Sequence, residues 1–331
     1  MTVPHRLYVG TIGEGLFRSV DGGETFARAC DGMFVECHVR ALAVHPHDPN
    51  AIFLGCEQGL YRTTDGANYW SRVESPLDGR QVWSILLSER PVANAPGSEI
   101  AIVVGTCPAG LFQSEDGGKS WSLPKARMLQ NCPRIMHTRV TCLIADPEDS
   151  ETLWAGVEID GIFRSRDLGR TWEAVGQGLS SRDIHALAFA AAGNGRWNML
   201  AATNNDLNLS IDHGETWRPL EIGKVLPWSY CRTLGQPIGR PEELLLGNGD
   251  APPGSAGLIA RSTDGGRTWV PARMPGRANS TIWNFAVHAA DPSLIYAASV
   301  SGEIYRSSDA GQSWTKLTRE FGEIRALAWT P

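Results

Sequence analysis

Ser114-Glu-Asp-Gly-Gly-Lys-Ser-Trp121 is one of seven variants of a Ser/Thr-x-Asp-x-Gly-x-Thr/Ser-Trp stretch that recurs along the chain. The others run from Ser19 to Phe26, Thr63 to Trp70, Ser165 to Trp172, Ser210 to Trp217, Ser262 to Trp269 and Ser307 to Trp314. Their aspartates, Asp21, Asp65, Asp116, Asp167, Asp212, Asp264 and Asp309, follow one another at intervals of 44 to 52 residues. Self-similarity at about 40 to 50 residues is the signature of a propeller or a solenoid.

Outward from each stretch, the unit reads as four short strands separated by turns. In the second unit these are Val39 to Val44, Ala51 to Gly55, Gly59 to Arg62 and Trp70 to Val73. Short runs of β-branched, aromatic and aliphatic residues bounded by Gly, Pro, Asp and Asn are strand signals, and no stretch sustains a helical period. Seven inner-strand cores can be read: Arg40 to Val44, Trp83 to Leu87, Thr141 to Ala145, His185 to Phe189, Cys231 to Leu234, Trp283 to Val287 and Arg325 to Trp329. The first repeat lacks such a strand before it and the last has one left over. The expected fold is therefore all-β: a seven-bladed propeller of four-stranded blades in one domain, residues 1–331, with the C-terminal strand completing the N-terminal blade. Closure of that kind removes exposed sheet edges.

Each repeated aspartate is expected in a tight turn, where a short carboxylate accepts backbone N–H bonds. The aromatic that ends the stretch wedges into the core, worth about 1.5–3 kcal/mol of burial. Seven carboxylates on seven blades cannot converge on one ligand, so they read as structure rather than catalysis.

The pattern resembles the BNR or Asp-box repeat of bacterial sialidases and of many propellers without sialidase activity. Sialidases are six-bladed and carry an Arg-Ile-Pro motif before their first box. This chain has seven units and offers only Pro133-Arg-Ile135 in another place, so no sialidase catalytic residue is transferred. By pattern the chain is also similar to seven-bladed photosystem assembly factors, to the paired propellers of xyloglucan-cleaving glycosidases and to sortilin-type receptors. Fold alone does not choose among these activities.

The balance of 30 basic and 36 acidic residues gives a net charge of −6, which argues against a nucleic-acid or anionic-membrane binder. No apolar run reaches membrane-spanning length, and the N-terminus leads straight into the first strand, which points to a cytoplasmic protein. Seven cysteines, an odd number without a CxxC pair, fit reduced thiols rather than a disulfide framework.

The lead-ins to the inner strands share one face with the loops joining the second and third strands. They carry Glu36-Cys-His-Val-Arg40, Arg80-Gln-Val-Trp83, Arg134-Ile-Met-His-Thr-Arg139, Arg182-Asp-Ile-His185, Trp228-Ser-Tyr-Cys-Arg232, Asn279-Ser-Thr-Ile-Trp283 and Glu323-Ile-Arg325. A concave mouth with aromatic walls and converging polar groups is the default binding site. The residues expected to bind substrate are Arg40, Trp83, Arg139, Arg182, Tyr230, Trp283 and Arg325, with the guanidiniums presenting forked donors to an anion. His137, His185, Glu158 and Asp160 are the candidates for proton transfer. His38, His137 and His185 could share one axis, but they stand at different distances from their strand cores; no metal and no cofactor is expected. The segment Gly247 to Gly257 reads either as a flap over the mouth or as a surface insertion.

Two functions are open on this reading. One is a hydrolase or lyase acting on a small polar, glycosidic or carboxylate-bearing substrate at the mouth opposite the repeated turns. The other is a non-catalytic propeller that grips a protein partner with the same face.

Overall fold

The computed structural model describes residues 5–91, 98–133, 135–193 and 195–331. Seven antiparallel sheets stand in a ring, and each inner strand packs against the inner strands of the blades on either side. The first blade pairs Ile324–Thr330 with Arg6–Thr11, then adds Leu16–Ser19 and Ala27–Arg28. The chain's last strand therefore fastens its first blade, as the leftover strand in the sequence requires. The inner strands of the next six blades are Ala41–Val44, Gln81–Pro91, Val140–Ala145, Ile184–Gly193, Tyr230–Gly235 and Ile282–Val287. Six blades have four strands. In the third blade the outermost position is reduced to a single bridge between Gln113 and Ser122. No helix among the described residues is long and apolar enough to cross a membrane.

The repeated turns have one geometry. In all seven, the Ser or Thr hydroxyl lies 2.7 to 2.8 Å from the aspartate two residues on. The same carboxylate accepts the backbone N–H four residues after itself at 2.8 to 3.1 Å. The two residues after each aspartate are left-handed, and Gly supplies that conformation cheaply at most of these positions; Ala67, Leu168, His213 and Ala310, at φ 67°, 62°, 55° and 58°, adopt it without Gly. The closing aromatic is buried at Trp70, Trp172, Trp217, Trp269 and Trp314, and half-buried at Phe26 and Trp121. These turns staple hairpins, and none of their aspartates lines the central cavities.

The central channel is shaped by a recurring irregularity. At the start of the inner strand, the register with the second strand skips one residue in six blades: Trp83, Thr141, His185, Arg232, Trp283 and Arg325. The second blade does the same, since Ala41 pairs with Gly55 while the Arg40 N–H also reaches the Gly55 carbonyl at 2.9 Å. A bulge re-aims its unpaired side chain, and here all seven line the channel. The neighbouring blade can approach this closely because the second strand is narrow there. A Cβ on Gly55 would lie 2.3 Å from Val82 Cγ1 of the next blade, and one on Gly105 would lie 2.5 Å from Val140 Cβ.

Candidate functional site

The ring of bulge residues divides the hub into two connected spaces. Below lies a channel of about 370 Å³ between the inner strands. Above it, on the face of the lead-ins, a mouth of about 670 Å³ opens, and Trp83, His185, Arg232, Trp283 and Arg325 border both. The mouth falls within the size range of small-molecule sites.

Two indoles organise four guanidiniums. Trp83 has Arg40 at 4.6 Å and Arg139 at 4.4 Å from its ring centre. Trp283 has Arg232 at 3.8 Å and Arg325 at 4.2 Å. The negative faces of the rings offset part of the repulsion among these cations. Burial nonetheless weakens the hold of Arg325 on its proton, to a pKa of about 10, with Arg232 adding to the effect and Glu323, its ion-pair partner, opposing it. Burial and the neighbouring Arg139 push Arg40 down in the same way. Two donors here have no protein acceptor, Arg40 Nε and Asn284 Nδ2. An anion is the natural complement of such a set.

Beside the guanidiniums is a group of opposite character. Glu158, Asp183 and His185 place ligand-type atoms within 4.8 Å of one another. Glu158 sits just beyond the second strand of the fourth blade, and Asp183 and His185 flank the start of the fifth blade's inner strand. The His185 side chain is only 3% exposed; its Nδ1 meets the Cys231 carbonyl at 2.7 Å and its Nε2 faces Asp183 Oδ1 at 3.5 Å. Tyr230 closes the side, its ring 5.1 Å from the imidazole, and burial raises its phenol pKa. Arg139 Nε lies 2.5 Å from Glu158 Oε2. Burial raises the Glu158 pKa, Arg139 pulls it back, and Asp183 adds to the rise. A carboxyl and a carboxylate crowded together with an imidazole is an arrangement that can hold and pass a proton.

The structure gathers Arg40, Trp83, Arg139, Glu158, His185, Tyr230, Trp283 and Arg325 around these spaces. It separates three others from them. His137 is exposed on a short hairpin, its Nδ1 2.9 Å from Asn131 Oδ1. Asp160 is occupied structurally, accepting the Leu129 N–H at 2.7 Å. Arg182 is 65% exposed and turned back on Asp160, donating to its carbonyl at 2.6 Å. His38 also lies outside both spaces, so the three imidazoles do not meet. Arg134 falls outside the described residues.

Two mouth residues were not singled out from sequence, Arg232 and Asp183. Arg232 was displaced because Cys231 was aligned with Arg40 and Trp83. In the structure Cys231 is fully buried and paired with Asn248, and Arg232 is the bulge. Asp183 carries no sequence signal beyond its place in the Arg182-Asp-Ile-His185 lead-in. The Gly247 to Gly257 segment lies at the mouth: Asp250, Ala251, Pro252 and Pro253 line it, and Thr281 Oγ1 donates to the Ala251 carbonyl at 2.7 Å. Asp250 also accepts from Ser255 and Ala256.

No protein-family model matches the chain. Its curated relatives are xyloglucanases. It is 27% identical over 277 residues to xyloglucanase Xgh74A of Acetivibrio thermocellus, covering 70% of this chain and 32% of that protein. It is 28% identical over 153 residues to a probable oligoxyloglucan-reducing end-specific xyloglucanase of Neosartorya fischeri, covering 41% of this chain and 18% of the other. The chain thus spans a third or less of the length of these two relatives. Among solved structures, it resembles a GH74 enzyme of Niastella koreensis with a TM-score of 0.58 and 13% identity, over 97% of this chain and 66% of that one. It also resembles YCF48 from Cyanidioschyzon merolae, with a TM-score of 0.54 and 14% identity, over 86% and 87% of the two chains. At such identities the likeness is one of fold.

Proposed function

We propose that the protein is a glycosidase-type hydrolase that acts on a small, carboxylate-bearing sugar or sugar-like substrate at the mouth. One observation carries this reading: the Glu158–Asp183–His185 group stands in the same cavity as two Arg–Trp–Arg stacks. The guanidiniums would hold the carboxylate in forked hydrogen bonds, and the indoles would present apolar faces to a ring. Glu158 and Asp183 would divide the acid and base duties, since two carboxyl groups suffice to split a glycosidic bond. Burial of His185 and its bond to the Cys231 carbonyl would keep the imidazole oriented beside them. Kinship with xyloglucanases supports glycoside chemistry; the four guanidiniums support an acidic rather than a neutral substrate.

The test is a hydrolysis screen over aryl glycosides, uronides, lactones and esters, with Glu158→Gln and Asp183→Asn measured beside the parent protein. Turnover of an acidic substrate that both variants lose supports the reading. No turnover anywhere, together with retention of a protein from solution by the same face, would replace it with the non-catalytic one.

A further inference from the structure

We infer that Glu158, Asp183 and His185, joined by Asn204, form a site for one divalent transition-metal cation. This deepens the hydrolase reading and rests on that cavity being the site; with an ion held there, Glu158 and Asp183 would act as its ligands, and the ion would supply an activated water in place of a free carboxylate base. Asp183 Oδ1 and Asn204 Oδ1 are both shielded from solvent and have no hydrogen-bond donor, while Glu158 Oε2 meets the Arg139 guanidinium at 2.5 Å. Buried acceptors left without donors are costly and call for an explanation. Asn204 belongs with the others by position: Ile184 pairs with Thr203, so Asp183 and Asn204 sit across from each other at the end of one hairpin, and both line the mouth.

The imidazole adds a third acceptor. His185 Nδ1 meets a backbone carbonyl, which can only accept, so Nδ1 carries the proton. In the neutral ring Nε2 then offers a lone pair, and it faces Asp183 Oδ1 at 3.5 Å. Two acceptors face each other there. A single proton could bridge that pair, whereas one cation would satisfy it together with Glu158, which lies within 4.8 Å of both, and with Asn204 on the same rim. Histidines that ligate metals commonly donate their other N–H to a carbonyl or carboxylate, which fixes the ring for the task.

Distances and charge agree with this. Ligands at about 2.0–2.2 Å from a metal stand at most about 4.4 Å apart; the three ligating side chains hold their atoms within 4.8 Å of one another, so a bound ion would draw them in slightly. Two carboxylates balance a divalent charge, while Arg139 beside Glu158 lowers the affinity for a purely electrostatic ion such as Ca²⁺. Imidazole with carboxylate oxygens suits Mn²⁺ or Zn²⁺.

The test uses the full chain, stripped with EDTA and dialysed. It is titrated with MnCl₂ and ZnCl₂ by calorimetry, and metal content is read by mass spectrometry. One ion per chain is expected. Asp183→Asn and His185→Gln should each weaken binding at least about a hundredfold, whereas Glu221→Gln, on an exposed ion pair with Lys224, should not. Should a variant fail to fold by circular dichroism, pulsed paramagnetic resonance of Mn²⁺ in the parent protein gives the same answer through the coupling of one imidazole nitrogen. No uptake at millimolar metal, uptake unchanged in both folded variants, or absence of nitrogen coupling overturns the site. Hydrolysis that persists after chelation would overturn the metal and leave the hydrolase. Stoichiometric metal with no substrate turned over would do the reverse.

Discussion

Asp183 turns one carboxylate oxygen toward His185 Nε2 at 3.5 Å while the opposite side of the imidazole is tied to the Cys231 carbonyl. The ring is thus fixed between a neighbouring blade's backbone and its own strand's lead-in. Its freedom to turn away is small, and chemistry at the mouth depends on the carboxylate that faces it. Asp183→Asn keeps the shape and removes the charge, so turnover of an acidic substrate should fall by about 10²–10⁴. The melting temperature, measured alongside by calorimetry, should shift by no more than a few degrees.

Two guanidiniums, those of Arg232 and Arg325, lie over Trp283 at 3.8 and 4.2 Å from its ring centre. Trp283→Ala should destabilise the protein by about 3 kcal/mol, through lost burial and through the unscreened pair. The loss should shrink when sulfate is added, because an anion can offset the two positive charges in place of the indole. Urea unfolding with and without sulfate checks this, and an unchanged loss would show that the ring does no electrostatic work.

At Asp167 the carboxylate holds the Thr171 N–H at 2.8 Å, the Thr171 hydroxyl at 2.5 Å and the Ser165 hydroxyl at 2.8 Å. Asp167→Ala should cost roughly 1–3 kcal/mol of stability and leave anion binding at the mouth unaltered. Selective loss of ligand binding without loss of stability would contradict a structural role.

Hydrogen bonds hold Asp21 and Asp116 well below the usual carboxylate range, those from the Thr25 and Ser120 hydroxyls foremost. A carboxylate whose pKa is lower folded than unfolded stabilises the fold above its unfolded pKa, about 3.9, and that stabilisation disappears as pH falls toward the folded value. Stability should therefore be flat from pH 6 to about 5 as far as these groups are concerned and decline below about 4. The decline should be shallower in Asp116→Asn, as read from urea midpoints across the range.

Gly55→Ala tests how tightly the blades abut. With Val82 Cγ1 only 2.3 Å from the added methyl, the substitution should cost about 1–3 kcal/mol as overpacking. A neutral result would mean that the second and third blades can slide apart without penalty.

The recurrent Asp turns and the alternation of short strands made the blade count and the ring closure legible from sequence, because both are periodic. Six of the seven channel-facing residues were also legible, since each opens its strand core. Arg232 was not, because a bulge adds one residue whose unpaired status no local pattern announces, and Cys231 looks like a plausible strand start. His137, Asp160 and Arg182 carry suitable chemistry and lie in the correct loops. Their direction depends on partners far along the chain or in space, Asn131 for the first, Leu129 for the second and Asp160 itself for the third. Depth and orientation within a loop are tertiary properties, and residue type does not encode them.

The strand Ile324–Thr330 does two jobs at once: it pairs with Arg6–Thr11 and it delivers Arg325 to the hub. During synthesis, a polypeptide released only as far as residue 320 would hold six complete blades and an unfastened first one, with a gap where this guanidinium belongs. The hub's ring of seven re-aimed side chains is consequently closed only when this strand has been made and paired, so loss of the strand would open the first blade and remove a cation from the mouth at one stroke.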